Sequence, residues 1–529
     1  MSGMRTAETL DIRRHGDITI TYTAFFRASI LYLILPVIIF FLGYLRPLWA
    51  VVFTGLTVVA TIWVMRDIGR RTDGTAIGEA QKSVTIKPSY LLTVIPLILI
   101  VMYFGGVSEY GWCTIDHRIR YAILNDLIDY RWPVIYDLST QQNPVVANAL
   151  GEGHVAFAYY FVFWMIPAVA GKLFGMTVAR LVLFIWTGIG LFLIAIGASL
   201  MYGKASKALF LGLMLFAGFD VIPYFMRQLQ GVGSMWEDWT SNLRIVGNFY
   251  QIMNVFHQSV PGWLITIMLL LLVNSRSVGY LGALMFCYSP WAAIGILPMC
   301  VCKIAVELIN NKKSRWAREL FTIGNIITPI VFFICFAPFY TSNPNARNDS
   351  GFIWTFYASP LKFIEDYILY AFFEFGAWYL LIRKSHRKDP MLITALVTLL
   401  VFPIYKISYA NDLLMRGSMA PMFLISLYAV MLVTDNFHEM MKKDCRKVKP
   451  RIMVLLLIAS AYSTINLLLL SSLLSYQIVV KGDTENYVAY DIVSFGNIRD
   501  EQNLDVVQSQ FFVNDYEDVI FFKYLARTD

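Results

Sequence analysis

The chain has 529 residues, of which 57% are hydrophobic and only 15% charged, and its mean hydropathy is +0.58. That much apolar surface exceeds what a water-facing shell can hide, which excludes an ordinary soluble enzyme and requires contact with lipid. The formal net charge of +7 comes from basic residues beside apolar runs, without the clustered motifs of a nucleic-acid binder, so they set topology rather than hold nucleic acid.

In chain order, residues 1–24 read as a polar cytoplasmic segment carrying Arg5, Arg13 and Arg14. The run from Phe25 lacks a small-residue cleavage site and reads as a retained helix. Spans of about 20 apolar residues are predicted at 25–45, 48–65, 90–106, 177–199, 208–226, 260–273, 320–340, 363–382, 391–409, 419–434 and 452–474. Two runs stay ambiguous. Residues 155–173 either cross or lie as a juxtamembrane helix, and 279–308, interrupted by Ser289-Pro290, is one kinked span or a hairpin. Basic residues cluster at Arg66, Arg70 and Arg71; at Lys312, Lys313, Arg315 and Arg318; at Arg383, Lys384, Arg387 and Lys388; and from Lys442 to Arg451. All share the cytoplasmic side if 155–173 lies flat and 279–308 is a hairpin. The fold is then an all-α polytopic membrane protein of about 13 transmembrane helices, N-terminus inside and C-terminus outside. One crossing for each ambiguous run would instead turn Arg276, Lys204 and Lys207 outward and the 227–259 loop inward.

The transmembrane domain covers 25–475, with extracytoplasmic segments 107–154, 227–259, 341–361 and 410–418. Residues 476–529 alternate apolar and polar positions, as at Tyr487–Tyr490 and Val519–Phe522, and predict a small extracytoplasmic β or mixed α/β appendage. No internal repeat is visible. The six cysteines, Cys113, Cys287, Cys300, Cys302, Cys335 and Cys445, show no zinc or disulfide spacing.

The first outer segment runs from Asp116-His117-Arg118 through Arg120, Asn125, Asp126 and Asp129 to Trp132-Pro133. Asp116, Arg120 and the Ile123, Leu124, Leu127, Ile128 set follow helical spacing and predict an amphipathic helix on the membrane surface. Asp116 caps that helix, or serves as a general base, since a carboxylate at the bilayer surface can reach an acceptor hydroxyl. Asp126 and Asp129 fit solvated polar positions. Further on, Asp220 of Gly218-Phe219-Asp220 sits inside an apolar run with Arg227 after it. A carboxylate at that depth needs a partner or a cavity, and an Asp220–Arg227 pair that locks two helices is the plainer reading. Trp236-Glu237-Asp238-Trp239, Arg244, Gln251 and His257-Gln258 follow; rings, amides and carboxylates of this kind suit sugar recognition, although interfacial aromatics are common. Ser289-Pro290-Trp291 marks a helix break, tolerated at membrane depth only where it is buried or lines a cavity. Lys406 then precedes Asn411-Asp412 and Arg416. A guanidinium there can hold a lipid phosphate and stabilise it as a leaving group, or Asp412 and Arg416 merely close a turn.

Taken in order, Asp116 with Leu124-Asn125-Asp126-Leu127 and Trp132-Pro133, then Gly218-Phe219-Asp220, Glu237 with Trp239, His257-Gln258 before Pro261 and Trp263, Tyr288-Ser289-Pro290-Trp291, and Asn411-Asp412 with Arg416 and Pro421 resemble the GT-C superfamily of polytopic glycosyltransferases, more closely a bacterial group within it. The resemblance implies a GT-C-like core in a bacterial cytoplasmic membrane with its site on the extracytoplasmic face. It implies inverting transfer from a polyprenyl-phosphate-linked sugar to a glycan or lipid acceptor, in cell-surface glycan synthesis, with Asp116 as base. Arg120, Asp220, Arg227, Glu237, Trp239, Arg244, Gln251, His257, Gln258, Lys406, Asp412 and Arg416 are the expected substrate-binding set. Two helices precede the catalytic loop where the superfamily has one, and Arg120 stands where a His is expected. No Asp-x-Asp signature accompanies Asp116, so no metal or other cofactor is predicted. An oligosaccharide polymerase or ligase, a transporter or flippase, and a non-enzymatic assembly subunit are the alternatives.

Overall fold

The computed structural model describes residues 16–72, 83–139, 153–231, 237, 239–240, 242–310, 316–342, 350–408, 411–442, 448–483, 493–497 and 511–527. The expected contributions of Trp236, Asp238 and the 487–490 alternation lie outside the described residues. The molecule is an all-α polytopic membrane protein; among the described residues, eight helices are long and apolar enough to cross a bilayer.

A short antiparallel ribbon, β1 (Ile18–Thr21) with β2 (Ser83–Ile86), brackets the first two helices. Thr21 caps α1 (Tyr22–Tyr44), its hydroxyl accepting from Ala24 N at 3.2 Å. Then come α2 (Pro47–Thr72), α3 (Pro88–Phe104) and α4 (Ile115–Asp129), followed by α5 (Met165–Phe174) and α6 (Met176–Tyr202). The region expected as one span at 208–226 is two nine-residue helices, α7 (Lys207–Leu215) and α8 (Val221–Leu229), parted around Gly218. Next are α9 (Asn248–Leu271), α10 (Val278–Tyr288), α11 (Pro290–Asn310) and α12 (Ile323–Tyr340). A π-helical turn, Ala371–Gly376, joins α13 (Pro360–Tyr370) to α14 (Ala377–His386). The chain closes with α15 (Pro390–Val401), α16 (Asp412–Gly417), α17 (Met419–Met440), α18 (Val448–Ser460) and α19 (Tyr462–Ser475).

Contacts between helix ends define two poles. At the basic pole Tyr22 Oη donates to Leu271 O (3.1 Å), Arg276 Nε to Asp67 (3.1 Å) and Tyr202 Oη to Asp435 Oδ1 (2.5 Å). At the loop pole Ser471 Oγ donates to Phe104 O (2.6 Å), and Arg180 pairs with Glu109 (2.6 Å). Between them helices pack closely where side chains are small: a Cβ on Gly190 of α6 would strike Val260 and the Tyr32 phenol, the close approach that membrane helices use in place of a hydrophobic driving force.

Both ambiguous runs have clear shapes. Residues 155–173 contain a strand, a 3-10 turn and α5, whose ten residues reach about 15 Å, half the hydrocarbon thickness. α5 lies at the loop pole, with Lys172 Nζ donating to Ile128 O (2.9 Å) and Tyr130 O (2.6 Å). α10 and α11 form a hairpin with its tip at Ser289. Ser275 at its foot donates its N–H to Glu307, and Cys300 lies 3.4 Å from where a Cβ on Gly282 would stand.

The 227–259 segment departs from its prediction as an outer loop. α9 starts at Asn248 and is kinked at Val255 (φ −142°, ψ 37°). Its polar residues are buried in the protein and turned to backbone carbonyls: Asn248 to Leu213 O (2.8 Å), Gln251 to Val246 O (3.2 Å) and Asn254 to Tyr250 O (3.0 Å). The short limb 248–254 starts beside Phe216 and Ser426 and rises to the loop pole, where Thr114 Oγ1 donates to Met253 O (3.0 Å); 256–271 descends to the basic pole.

Parts of the tail dock on the loop pole. β5 (Phe512–Val513) extends the sheet of β3 (Ile135–Asp137) and β4 (His154–Phe157). Asp126, expected as solvated, is fully buried there; its carboxylate accepts from Tyr136 Oη (2.7 Å), Ser494 Oγ (2.5 Å) and Phe495 N (3.0 Å).

Candidate active site at the loop pole

α4 places Asp116 in its first turn, beyond the cap position held by Thr114. Asp116 therefore does not cap the helix; its carboxylate meets Arg120 Nη1 at 3.3 Å, one turn on. Arg120 Nη1 also donates to Asp116 O (2.8 Å) and Asn254 O (2.7 Å), which ties α4 to the kink of α9. Arg416 reaches the same spot from α16. Its Nε lies 2.9 Å from Asp412 Oδ1, one turn back, and Asp412 Oδ2 accepts from Ser408 Oγ at 2.6 Å. The pair closes the turn, the plainer reading of the Asp412–Arg416 spacing, and Arg416 Nη1 lies buried without a well-aligned hydrogen bond among the described residues, with the Tyr159 phenol as its neighbour.

Aromatic rings wall the site. The Arg416 guanidinium lies over Tyr160 (5.3 Å), Tyr160 stacks on Tyr159 (3.8 Å), and the His257 ring packs against Trp164 (4.4 Å). Gln258 Nε2 donates to His257 Nε2 at 2.9 Å, and Ser289 Oγ of the hairpin tip fixes Gln258 by donating to its Oε1 at 2.9 Å. That contact sets the proton of a neutral His257 on Nδ1.

The Asp116 side chain keeps 45% of its exposure, against 7% for Arg120 and 9% for Arg416. Asp116 is thus the most accessible of the three side chains. Burial opposes its charge, but Arg120 and then Arg416 outweigh burial and hold Asp116 below the usual carboxylate range. Burial, seconded by Arg120, depresses His117 to about 3, so His117 is the neutral imidazole at neutral pH. Asp412 is pushed up to about 6, mainly by burial and in part by Asp116.

The other expected residues stand elsewhere. Asp220, Glu237 and Trp239 gather with Glu374: Trp239 Nε1 donates to Glu374 Oε1 (3.0 Å), and Glu237 Oε2 accepts from Gly247 N (2.7 Å). Gly247 and Asn254 bound the short limb of α9, so roughly 10 Å separates this group from the Asp116 site, seven residues at about 1.5 Å each. Arg227 does not pair with Asp220. It turns to Asp366 and Glu365 of α13, because seven residues of α8 put it two turns, about 10 Å, along the axis from Asp220. Arg244 lies on Tyr250 (5.1 Å). Gln251 Nε2 is taken by Val246 O. Lys406 Nζ lies over Phe356 (4.3 Å) and donates to Asn242 Oδ1 (3.3 Å).

Sequence reasoning missed Tyr159, Tyr160, Trp164 and Glu374. Glu374 carried the signal that singled out Asp220, a carboxylate inside an apolar run. Among the described residues no group of His, Cys, Asp and Glu could hold a metal ion. Family models, curated proteins and solved structures were compared with the chain, and none matches.

Proposed function

We propose that the protein is an inverting glycosyltransferase of the GT-C type. It would move a sugar from a polyprenyl-phosphate donor to an acceptor hydroxyl at the extracytoplasmic face of a bacterial cytoplasmic membrane. The observation that carries this reading is the accessible Asp116 side chain beside two buried guanidinium groups, within an aromatic wall at the loop pole. About 13 crossings follow if α7–α8, α9, the α10–α11 hairpin, α13–α14, α15 and α18–α19 complete the bundle, and the basic pole then faces the cytoplasm.

In the reaction, Asp116 takes the proton of the acceptor hydroxyl, whose oxygen forms a bond to the anomeric carbon. The bond from that carbon to the phosphate oxygen breaks, and its electron pair leaves with the phosphate. Arg416 Nη1, buried and without a well-aligned hydrogen bond among the described residues, donates to the departing oxyanion, where a preorganised cation lowers the barrier. Arg120 holds the base in place. The tyrosine pair and His257 present a stacking face and a donor to the sugar ring.

The test is incubation of purified protein with candidate polyprenyl-phosphate sugars, measuring released polyprenyl phosphate. Wild type releases it in step with a glycosylated acceptor, and Arg416→Ala loses on the order of 100-fold or more in rate. No release from any donor would end the reading. The acids at the α7–α8 break favour a second reading, a transporter of lipid-linked cargo, since acids at membrane depth mark ion and proton pathways. It requires cargo movement with the phosphate ester intact.

A further inference from the structure

Asp220 and Glu374 meet where two helical elements are interrupted. Between α7 and α8, Phe219 N donates to Phe373 O (2.8 Å), a carbonyl of the π-helical turn. Gly218 allows the approach: a Cβ there would stand 2.9 Å from both Asp220 Oδ1 and Glu374 Oε2. Each carboxyl is 1% exposed. Neither oxygen of Asp220, nor Glu374 Oε2, receives a hydrogen bond from an N–H or hydroxyl among the described residues, and Asp220 Oδ1 and Glu374 Oε2 converge on the same point beside Gly218.

Two bare carboxylates cannot rest this way. Each has lost its water, each repels the other, and no donor compensates. A proton between them turns the repulsion into an O–H···O⁻ bond, as in other carboxyl pairs that share a site. The charged and titratable groups facing the pair are Glu237, Arg244 and Tyr370. One guanidinium against three acids leaves an excess of negative charge that a proton reduces.

We propose that Asp220 and Glu374 form a proton-binding site in the helical core, one carboxyl protonated and donating to the other. Glu237 lies against the pair and caps Gly247, the start of the short limb of α9. The far end of that limb accepts from Arg120 through Asn254 O. The bound proton therefore steadies the support of the Asp116 site from below. This goes beyond the transfer reading and does not depend on it.

Infrared difference spectroscopy of the purified full chain at pH 7, in sodium-free buffer, tests it without any assay of activity. Wild type minus Glu374→Gln, and wild type minus Asp220→Asn, should each show a protonated-carboxyl C=O band in the wild type that the variant has lost. Glu365→Gln, at a more exposed carboxylate, should leave that band in place. If a single variant does not fold, the double variant Asp220→Asn/Glu374→Gln replaces it, since two amides bond each other without a proton, and the same loss is expected. An unchanged band in the folded variants overturns the proposal, because the pair is then ionised. So does a wild-type band that vanishes on adding sodium chloride but not choline chloride, which would make the site one for a metal cation.

Discussion

Asp116 owes its character to two neighbours, and each is separable by substitution. Arg120 and Arg416 hold its carboxyl below the ordinary range, so the base is ionised at neutral pH and loses its charge only as pH falls through that lowered value. The acid limb of the transfer rate should therefore lie below the usual carboxylate pKa of about 4. Arg120→Gln should move that limb upward, because removing the largest favourable charge leaves burial in command. An acid limb unmoved by Arg120→Gln would mean that another group titrates. Asp126 shows the opposite sign. Burial raises it to about 6 despite three donors, so the folded form binds its proton more tightly than the unfolded chain. That contribution is full below the unfolded value, fades as pH rises through about 6 and is gone above it. Docking of the tail should accordingly be firmer at pH 5 than at pH 8. Limited proteolysis of the 493–497 region should show slower cutting at the lower pH after correction for protease activity, and Asp126→Asn should flatten the difference.

Interrupted elements do more here than continuous ones. The kink at Val255, the Ser289 hairpin tip, the α7–α8 gap and the π-helical turn each bring a polar side chain to a place that an unbroken helix would give to an apolar one. Ser289 joins two of them, donating to Gln258 while its Oγ accepts from Ala292 N at 3.3 Å. Ser289→Ala should cost about 1 kcal/mol in stability and free the Gln258 amide to turn. Thermal unfolding in detergent measures the first effect, and weaker donor affinity measures the second. These breaks also explain where sequence reading stopped. The Asp412–Arg416 pair was legible, since helical spacing alone brings the partners together, and the same spacing put Asp116 and Arg120 on one short helix. The start of α9 was not: Asn248, Gln251 and Asn254 depress hydropathy as a loop would, yet each side-chain amide donates to a carbonyl inside the protein. The division of the expected sugar-binding set was equally hidden, because no local pattern tells that Arg227 turns to Asp366 while Asp220 turns to Glu374.

At the scale of the whole chain, segregation of charge was the readable part. Apolar runs and basic clusters together predicted a polytopic helical membrane protein, and the two poles follow the same division. Which pole faces the cytoplasm is a matter for labelling. Single cysteines at exposed Glu517 and exposed Lys384 should react oppositely in intact cells: Glu517→Cys with a membrane-impermeant maleimide, Lys384→Cys only after lysis, with the unsubstituted protein as background. Labelling of Lys384→Cys in intact cells would reverse the topology and put the Asp116 site inside.

The measurement that bears most directly on the enzymatic reading is the single-turnover rate of Asp116→Asn set beside its donor affinity. Loss of the base should lower polyprenyl-phosphate release by at least about 100-fold, while the folded variant still binds the lipid-linked sugar, because Arg416 and the aromatic wall are untouched. A variant that releases polyprenyl phosphate at the wild-type rate would contradict the account.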